Sequence, residues 1–110
     1  MAENRTNRQE YVHKLLDAYR RTPGTTGRVR GRDRILAVKL QQQGVPLTVV
    51  ENALVLAAAR RLFRAPQALP LRTIRSLHYF LPIIHEVLEL RVAPDYFQHL
   101  RSKIERSIKK

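Results

Sequence analysis

The chain has 110 residues, of which 44% are apolar and 27% charged, and this is the balance of one folded domain rather than of a disordered chain. Its 21 lysines and arginines outnumber nine acidic residues, so the formal charge is +12 and the expected partner is a polyanion. Apolar runs are too short to cross a bilayer, the N-terminus has no secretory signal pattern, and the absence of cysteine excludes disulfides and thiolate metal sites.

A first amphipathic helix is predicted over residues 7–21. Its apolar side chains recur at helical spacing, and Asn7 with Glu10 has the pattern of a capping box. Residues 1–6 are therefore expected to form a flexible N-terminus.

A loop and a second helix follow. Residues 22–31 contain three of the four glycines and predict a loop. Apolar residues at helical spacing predict a helix over residues 33–43, and Gly44 is well placed to end it. A tight turn then leads to the next helix.

The third helix, ending near residue 64, is predicted to be the core of the protein. It begins either with Pro46 in its first turn or with a capping box formed by Thr48 and Glu51. Its side chains leave almost no polar face, which indicates a helix buried on most sides.

The last third of the chain predicts two more helices. Residues 65–71 contain two prolines and are predicted to form a connector. Residues 73–90 are predicted to be helical, and Pro82 either kinks the helix or restarts it; we expect the kink. Pro94 opens the last helix, whose apolar stripe is Tyr96, Phe97, Leu100, Ile104 and Ile108. We therefore predict an all-α fold in which residues 1–110 form a single compact bundle of about five helices around a buried central helix.

The positive charge is concentrated in three clusters. Residues 1–34 and 60–75 each carry a net +5 and residues 101–110 a net +4, whereas the two intervening segments are neutral and mildly acidic. Arginine supplies 16 of the 21 bases, and its planar guanidinium binds phosphate oxygens two at a time. A high genomic GC content would also favour arginine, but it does not explain the net charge.

The second and third helices have the spacing of a helix-turn-helix centred on Gly44. In that interpretation the third helix lies in the major groove and reads bases through Thr48, Glu51 and Asn52. The alternative is a helical hairpin within the core, because the remaining surface of that helix is mainly Val, Leu and Ala.

Alternate arginines on the glycine-rich segment 27–34 could follow a phosphate backbone or enter a minor groove; a solvated loop is the alternative. Aromatic residues mostly fall in apolar stripes, so base stacking is not expected. The predicted nucleic-acid-binding residues are the basic side chains of the three clusters with two polar residues of the third helix: Arg28, Arg30, Arg32, Arg34, Thr48, Asn52, Arg60, Arg61, Arg64, Arg72, Arg75, Arg101, Lys103 and Arg106.

Catalytic and metal-binding motifs are not evident. His78, His85 and Glu89 share one face of a continuous helix, but the second histidine of a zinc motif is missing and Pro82 disturbs the register. There is no nucleophile motif, and the glycine spacing fits no phosphate-binding loop. We expect no enzymatic activity, no metal and no cofactor.

The blocks 22–61 and 71–89 resemble segments of short bacterial proteins that accompany mobile genetic elements, and they are similar to helical parts of replication-initiator proteins. The resemblance covers about half of the chain. It implies a preference for DNA over RNA and assigns no role to individual residues.

Together these patterns predict a cytoplasmic nucleic-acid-binding protein, associated with the bacterial nucleoid if the partner is DNA. The first alternative is a small subunit of a larger nucleoprotein complex, of CRISPR, transposition or replication type, that lines a duplex without reading its sequence. The second is a protein-only interaction module such as an antitoxin or inhibitor. No membrane partner is expected, and a homodimer is compatible with the apolar third helix.

Overall fold

The structure is a computed structural model that describes residues 2–65, 67–90 and 94–108. Over these residues the chain forms five α-helices and one short 3-10 helix, and its only β-pairing is a single isolated bridge. The predicted all-α class is confirmed. The helices are α1 (Ala2–Arg21), α2 (Gly31–Gln42), α3 (Leu47–Leu62), the 3-10 helix (Leu77–Phe80), α4 (Leu81–Leu90) and α5 (Pro94–Ile108).

Helix α3 is the centre of the bundle, as predicted. It packs against α1, α4 and α5, and Val50 and Ala53 are completely buried. Its alanines at positions 53 and 57–59 are all buried, and their small side chains allow the surrounding helices to approach closely. The hydrophobic driving force for folding is therefore concentrated along this helix.

Helix α1 begins at Ala2, so the predicted start of the helix at Asn7 is wrong. The physical reason is that residues 2–21 contain neither glycine nor proline, so nothing in the sequence stops the helix from extending. Tyr11 connects α1 to the turn between α2 and α3, because its hydroxyl donates to the Val45 carbonyl at 2.7 Å. Burial raises the pKa of Tyr11 to about 12, which keeps the donating proton in place.

Gly44 ends α2 as the sequence predicted. Its φ is +78°, a backbone conformation that glycine adopts without a steric penalty. The Val45 amide donates to the Leu40 carbonyl at 3.1 Å and the Gly44 amide to the Gln41 carbonyl at 3.0 Å, which is the paired pattern of a Schellman motif. The turn between α2 and α3 is thus defined by local backbone geometry.

The predicted kinked helix over residues 73–90 is wrong. Residues 71–76 are extended, the 3-10 helix follows, and α4 starts only at Leu81. Pro82 therefore lies in the first turn of a new helix, where the amide that proline lacks would have had no helical partner. The Ser76 hydroxyl caps the 3-10 helix by accepting from the His78 amide at 3.1 Å.

Helix α5 closes the bundle against α3. Phe97, Leu100 and Ile104 are buried as predicted, whereas Tyr96 is half-exposed at one edge. The buried part of the apolar stripe of α5, formed by Phe97, Leu100 and Ile104, thus covers the protein's own core. Within the described ranges, no helix has both the length and the hydropathy needed to cross a membrane.

Candidate nucleic-acid interface

The loop between α1 and α2, residues 22–30, is held against a distant extended segment, residues 71–76. We call these two segments the arginine loop and the strap. A parallel bridge joins them: the Thr26 amide donates to the Ile74 carbonyl at 3.0 Å, and the Ile74 amide donates to the Gly24 carbonyl at 2.7 Å. The Ile74 side chain is buried, so the bridge also pins both segments to the core.

Asp33, in the first turn of α2, is a completely buried carboxylate that ties the arginine loop to the strap. Its Oδ2 accepts from the Arg30 backbone amide at 2.9 Å. Its Oδ1 accepts from the Leu77 amide at 2.9 Å and from the Ser76 hydroxyl at 3.4 Å. These donors offset the cost of burying the charge, and they fix the start of α2 relative to the strap.

The four alternate arginines Arg28, Arg30, Arg32 and Arg34 all expose their side chains. Within the described residues, none of them forms a salt bridge. Arg32 lines a cleft between α2 and α4, whereas Arg34 lines another with Arg20 of α1. Their guanidinium groups are thus available to an external anion, but the last two lie on different sides of α2.

The basic residues at the end of α3 are mostly engaged within the fold. Arg60 forms a bidentate ion pair with Glu86 of α4, one arm of which measures 2.8 Å, and this arginine holds the pKa of the Glu86 carboxyl below its ordinary value. Arg61 lies so close to Gly24 that a Cβ there would be 2.8 Å from its Nε, and it donates to the Arg72 carbonyl at 2.8 Å. Both residues were predicted to bind nucleic acid, and both have internal partners.

The strap contributes two more exposed arginines, Arg72 and Arg75. Because the strap is hydrogen-bonded to the arginine loop, these side chains belong to a segment adjacent to the alternate arginines. Arg64 is half-buried and lines a small cleft with Leu71. The structure therefore brings together the loop and strap arginines that the sequence placed far apart.

Helix α3 offers few polar side chains for a recognition face. Thr48 is exposed in its first turn, but Asn52 is half-buried and its Oδ1 accepts from Arg101 at 3.4 Å. Glu51 is also half-buried, at the rim of a groove between α3 and α5. The partial burial of Glu51 and Asn52 is what a helical hairpin within the core would give, and that hairpin was one of the two interpretations that the sequence allowed.

The third basic cluster lies on α5, where Arg101, Lys103 and Arg106 are exposed. The Lys103 ammonium sits over the Phe63 ring, 4.7 Å from its centroid, in a cation–π contact. In the described part of the chain, no hydrogen bond or ion pair joins this cluster to the arginine loop. Arg101 nevertheless lines a groove that Arg21 of α1 and Thr22 and Pro23 of the arginine loop also line.

Two features were not identified from the sequence. Lys39 shares the cleft between α2 and α4 with Arg32, His78 and His85. Tyr79, assigned to an apolar stripe, is 45% exposed. The position of Lys39 in this cleft depends on how α2 packs against the 3-10 helix, which the sequence does not show. The sequence did contain one signal for the cleft, since the spacing of His78 and His85 placed both on one helix face.

No group of three or more side chains that could hold a metal ion occurs among the residues that the structure describes. His78 and His85 instead face a cleft that also contains two cationic side chains.

Comparisons with known proteins add no relationship. No protein-family model, no curated protein and no solved structure gives a significant match to this chain.

Proposed function

We propose that this chain is a non-enzymatic nucleic-acid-binding protein that grips the phosphate backbone through exposed arginines. The observation that carries the proposal is a set of six exposed arginines, without salt-bridge partners in the described residues, on the arginine loop, the first turn of α2 and the strap. The loop and the strap are hydrogen-bonded to each other. The six arginines are Arg28, Arg30, Arg32, Arg34, Arg72 and Arg75. The net charge of +12 adds long-range attraction for a polyanion.

Anchoring of the arginine loop supports this proposal. The bridge to the strap and the hydrogen bonds of Asp33 hold the loop backbone at both of its ends. A backbone ordered in advance loses less entropy when it binds a ligand than a free loop does. The guanidinium groups can therefore be mobile while the backbone that carries them is fixed.

The proposal includes a preference for DNA, which is supported by the resemblance to helical parts of replication-initiator proteins. A DNA partner would place the protein with the bacterial nucleoid. We propose that the arginine loop and the exposed face of α2 make the contacts, because Thr48 is the only fully exposed polar residue in the first two turns of α3. In this proposal the α2–α3 unit supports the interface and does not insert α3 into a major groove.

The test is fluorescence anisotropy of the full chain with a labelled DNA duplex, single-stranded DNA and structured RNA at several salt concentrations. If six to ten phosphates are neutralised, the affinity should fall roughly 10³-fold to 10⁵-fold between about 50 and 200 mM salt. Binding that does not respond to salt would contradict the proposal. A stronger interaction with RNA than with DNA would overturn the DNA preference alone.

A charge-matched pair of variants tests where the contact is made. The triple change R28A/R30A/R32A should weaken binding more than tenfold and reduce the salt slope by about three phosphate contacts. The control R8A/R20A/R21A removes the same charge from α1 and should have a clearly smaller effect. Equal losses in the two variants would show that only net charge matters.

A second candidate is a subunit of a larger nucleoprotein complex. The observation that favours it is an exposed apolar group near the end of α3, which includes Leu62, Phe63 and Leu71, with Leu69 82% exposed. Contiguous exposed apolar side chains are typical of protein interaction surfaces. Weak binding of DNA alone that becomes tight with a partner protein would favour this candidate.

A further inference from the structure

A cleft of about 430 Å³ lies between α2 and the segment formed by the 3-10 helix and α4. Helix α2 contributes Arg32, Ile35 and Lys39 to one wall, and His78, Leu81 and His85 line the opposite wall. Ile35 is 63% exposed, which is unusual for a large apolar side chain and leaves the mouth of the cleft open. The cleft thus combines an apolar lining with four basic side chains, Arg32, Lys39, His78 and His85.

The cleft contains no carboxylate among its lining residues. The acidic groups of the surrounding elements are accounted for: Asp33 of α2 is buried and hydrogen-bonded to backbone amides, and Glu86 of α4 is paired with Arg60 of α3. Glu89 is exposed one turn after His85, whereas Arg34 lines a different cleft, with Arg20 of α1. The local field is therefore positive.

The orientation of His78 is fixed by its neighbours. Its Nδ1 lies 3.1 Å from the Ser76 hydroxyl oxygen, which in turn lies 3.4 Å from the Asp33 carboxylate. When Nδ1 carries the proton, it donates to Ser76 and Ser76 donates to Asp33, so the imidazole is connected to a buried negative charge. The other ring nitrogen, Nε2, is then the one that a ligand in the cleft can use.

The chemistry of these four side chains favours an anion over a metal ion. Two imidazoles can coordinate a metal, but a guanidinium and an ammonium in the same cleft would repel a cation. A phosphate group has several oxygens that can accept simultaneously from arginine, lysine and protonated imidazole. The apolar lining excludes part of the solvent, which strengthens each of these charged contacts.

We propose that this cleft binds a phosphate group and that binding is coupled to protonation of His78 and His85. That this phosphate belongs to a nucleic acid depends on the function proposed above, whereas the presence of a phosphate site does not. Histidine side chains gain positive charge over the range from about pH 8 to pH 5, so a phosphate held between them binds more tightly as the pH falls. The cleft would thus make part of the nucleic-acid affinity sensitive to pH.

The four histidines of the chain provide a matched experiment. Two of them, His78 and His85, line the cleft, whereas His13 and His99 are exposed on α1 and α5. Duplex binding by anisotropy is compared at about pH 8 and about pH 6 for the unaltered chain, for H78Q/H85Q and for the control H13Q/H99Q. The salt concentration is held constant, because screening would otherwise change the affinity.

We expect the duplex affinity of the unaltered chain to rise roughly fivefold at the lower pH, because partly exposed charge pairs contribute only modestly. The affinity of the control H13Q/H99Q should rise by the same factor. H78Q/H85Q should lose most of this rise. A full rise in H78Q/H85Q, or an equal loss in H13Q/H99Q, would overturn the proposed coupling. Circular dichroism of each variant confirms that the helices are retained.

Inorganic phosphate tests the cleft independently of the proposed function. In an NMR titration at about pH 6.5, phosphate should produce saturable shifts of the His78 and His85 ring signals and leave those of His13 and His99 in place. Shifts of this kind without any duplex binding would support the cleft and contradict the nucleic-acid function. Equal shifts at all four histidines would overturn the cleft.

The source of the phosphate is distinguished by two blunt duplexes that differ only at their 5′ ends. If the cleft takes a terminal phosphate, the pH-dependent gain appears only with the 5′-phosphorylated duplex. If it takes a backbone phosphodiester, both duplexes show the same gain. Either pattern supports a phosphate site, and a gain that is absent from both would contradict it.

Discussion

Helices α2 and α3 are consecutive and joined by a four-residue turn, yet their surfaces are opposite in character. Helix α2 exposes Arg32, Arg34, Ile35 and Lys39, and its partners cover only one side of it. Helix α3 is enclosed by α1, α4 and α5 and buries seven of its 16 residues. A helix–turn–helix spacing in sequence is therefore compatible with an arrangement in which the first helix, Arg32 and Arg34 above all, carries exposed arginines without a salt bridge among the described residues, whereas the exposed Arg60 of the second is paired with Glu86.

The difference separates stability from binding within one hairpin. Residues on α3 contribute mainly to the free energy of folding, because they remove apolar surface from water. Residues on the exposed face of α2 can change with little effect on folding and are available for contacts with a ligand. The opposite face of α2, with Asp33, Leu36, Ala37 and Leu40, is buried and contributes to folding.

The largest expected effect comes from placing a carboxylate on each helix. A53D introduces a charge at a completely buried position of α3 and should destabilise the protein by more than about 3 kcal/mol, or prevent folding. I35D makes the opposite test at a position that is 63% exposed on α2, where the change should stay within about 0.5 kcal/mol. Urea unfolding followed by circular dichroism measures both. Similar losses in the two variants would contradict the contrast between the helices.

A smaller but still substantial effect is expected for D33A. The change leaves the Arg30 and Leu77 amides without their acceptor, and each buried unsatisfied group costs about 1–3 kcal/mol. Thermal unfolding should show a clear loss, and amide hydrogen exchange should increase at Leu77 and in the arginine loop before it increases in α3. D33N, which keeps one accepting oxygen, should lose less than D33A. If exchange rises first in α3, Asp33 does not act as the local anchor described above.

The smallest effect is expected for the Arg60–Glu86 ion pair, which joins α3 to α4 at the surface. Arg60 lowers the pKa of Glu86 in the folded chain, so the pair stabilises the fold at neutral pH and this contribution disappears as the pH falls through that lowered pKa. E86Q should therefore lower Tm slightly at about pH 7 and leave it nearly unchanged at about pH 2. R60Q serves as the partner control with the same pH trend. A difference in Tm that persists at the lower pH would indicate lost packing instead of a lost charge pair.

Local signals in the sequence predicted much of the fold. Gly44 ends α2 because a left-handed backbone is required there, and the apolar composition of α3 identifies it as the core. The start of α4 was misjudged because a proline inside a helical pattern permits either a kink or a new start. The choice depends on Ile74, which pairs with the arginine loop instead of continuing a helix.

The candidate site was less accessible to sequence reasoning. The exposed arginines of the arginine loop follow from its glycine-rich composition, but the engagement of Arg60 with Glu86 and of Arg61 with the strap depends on tertiary packing. The same is true of the cleft, where Lys39 meets His78 only because α2 lies beside the 3-10 helix. Charge counting predicts a class of partner, whereas the availability of each charge requires the structure.

The bridge between Thr25 and Ile74 has a consequence for the order of folding. It closes a long stretch of chain that contains both α2 and α3, and contacts of such separation form later than the helices themselves. During synthesis the arginine loop is therefore made well before the strap that holds it. An N-terminal fragment that stops short of residue 71 would carry the loop's charge without its fixed geometry, so the ordered display of arginines is acquired only after residues 71–77 have been made.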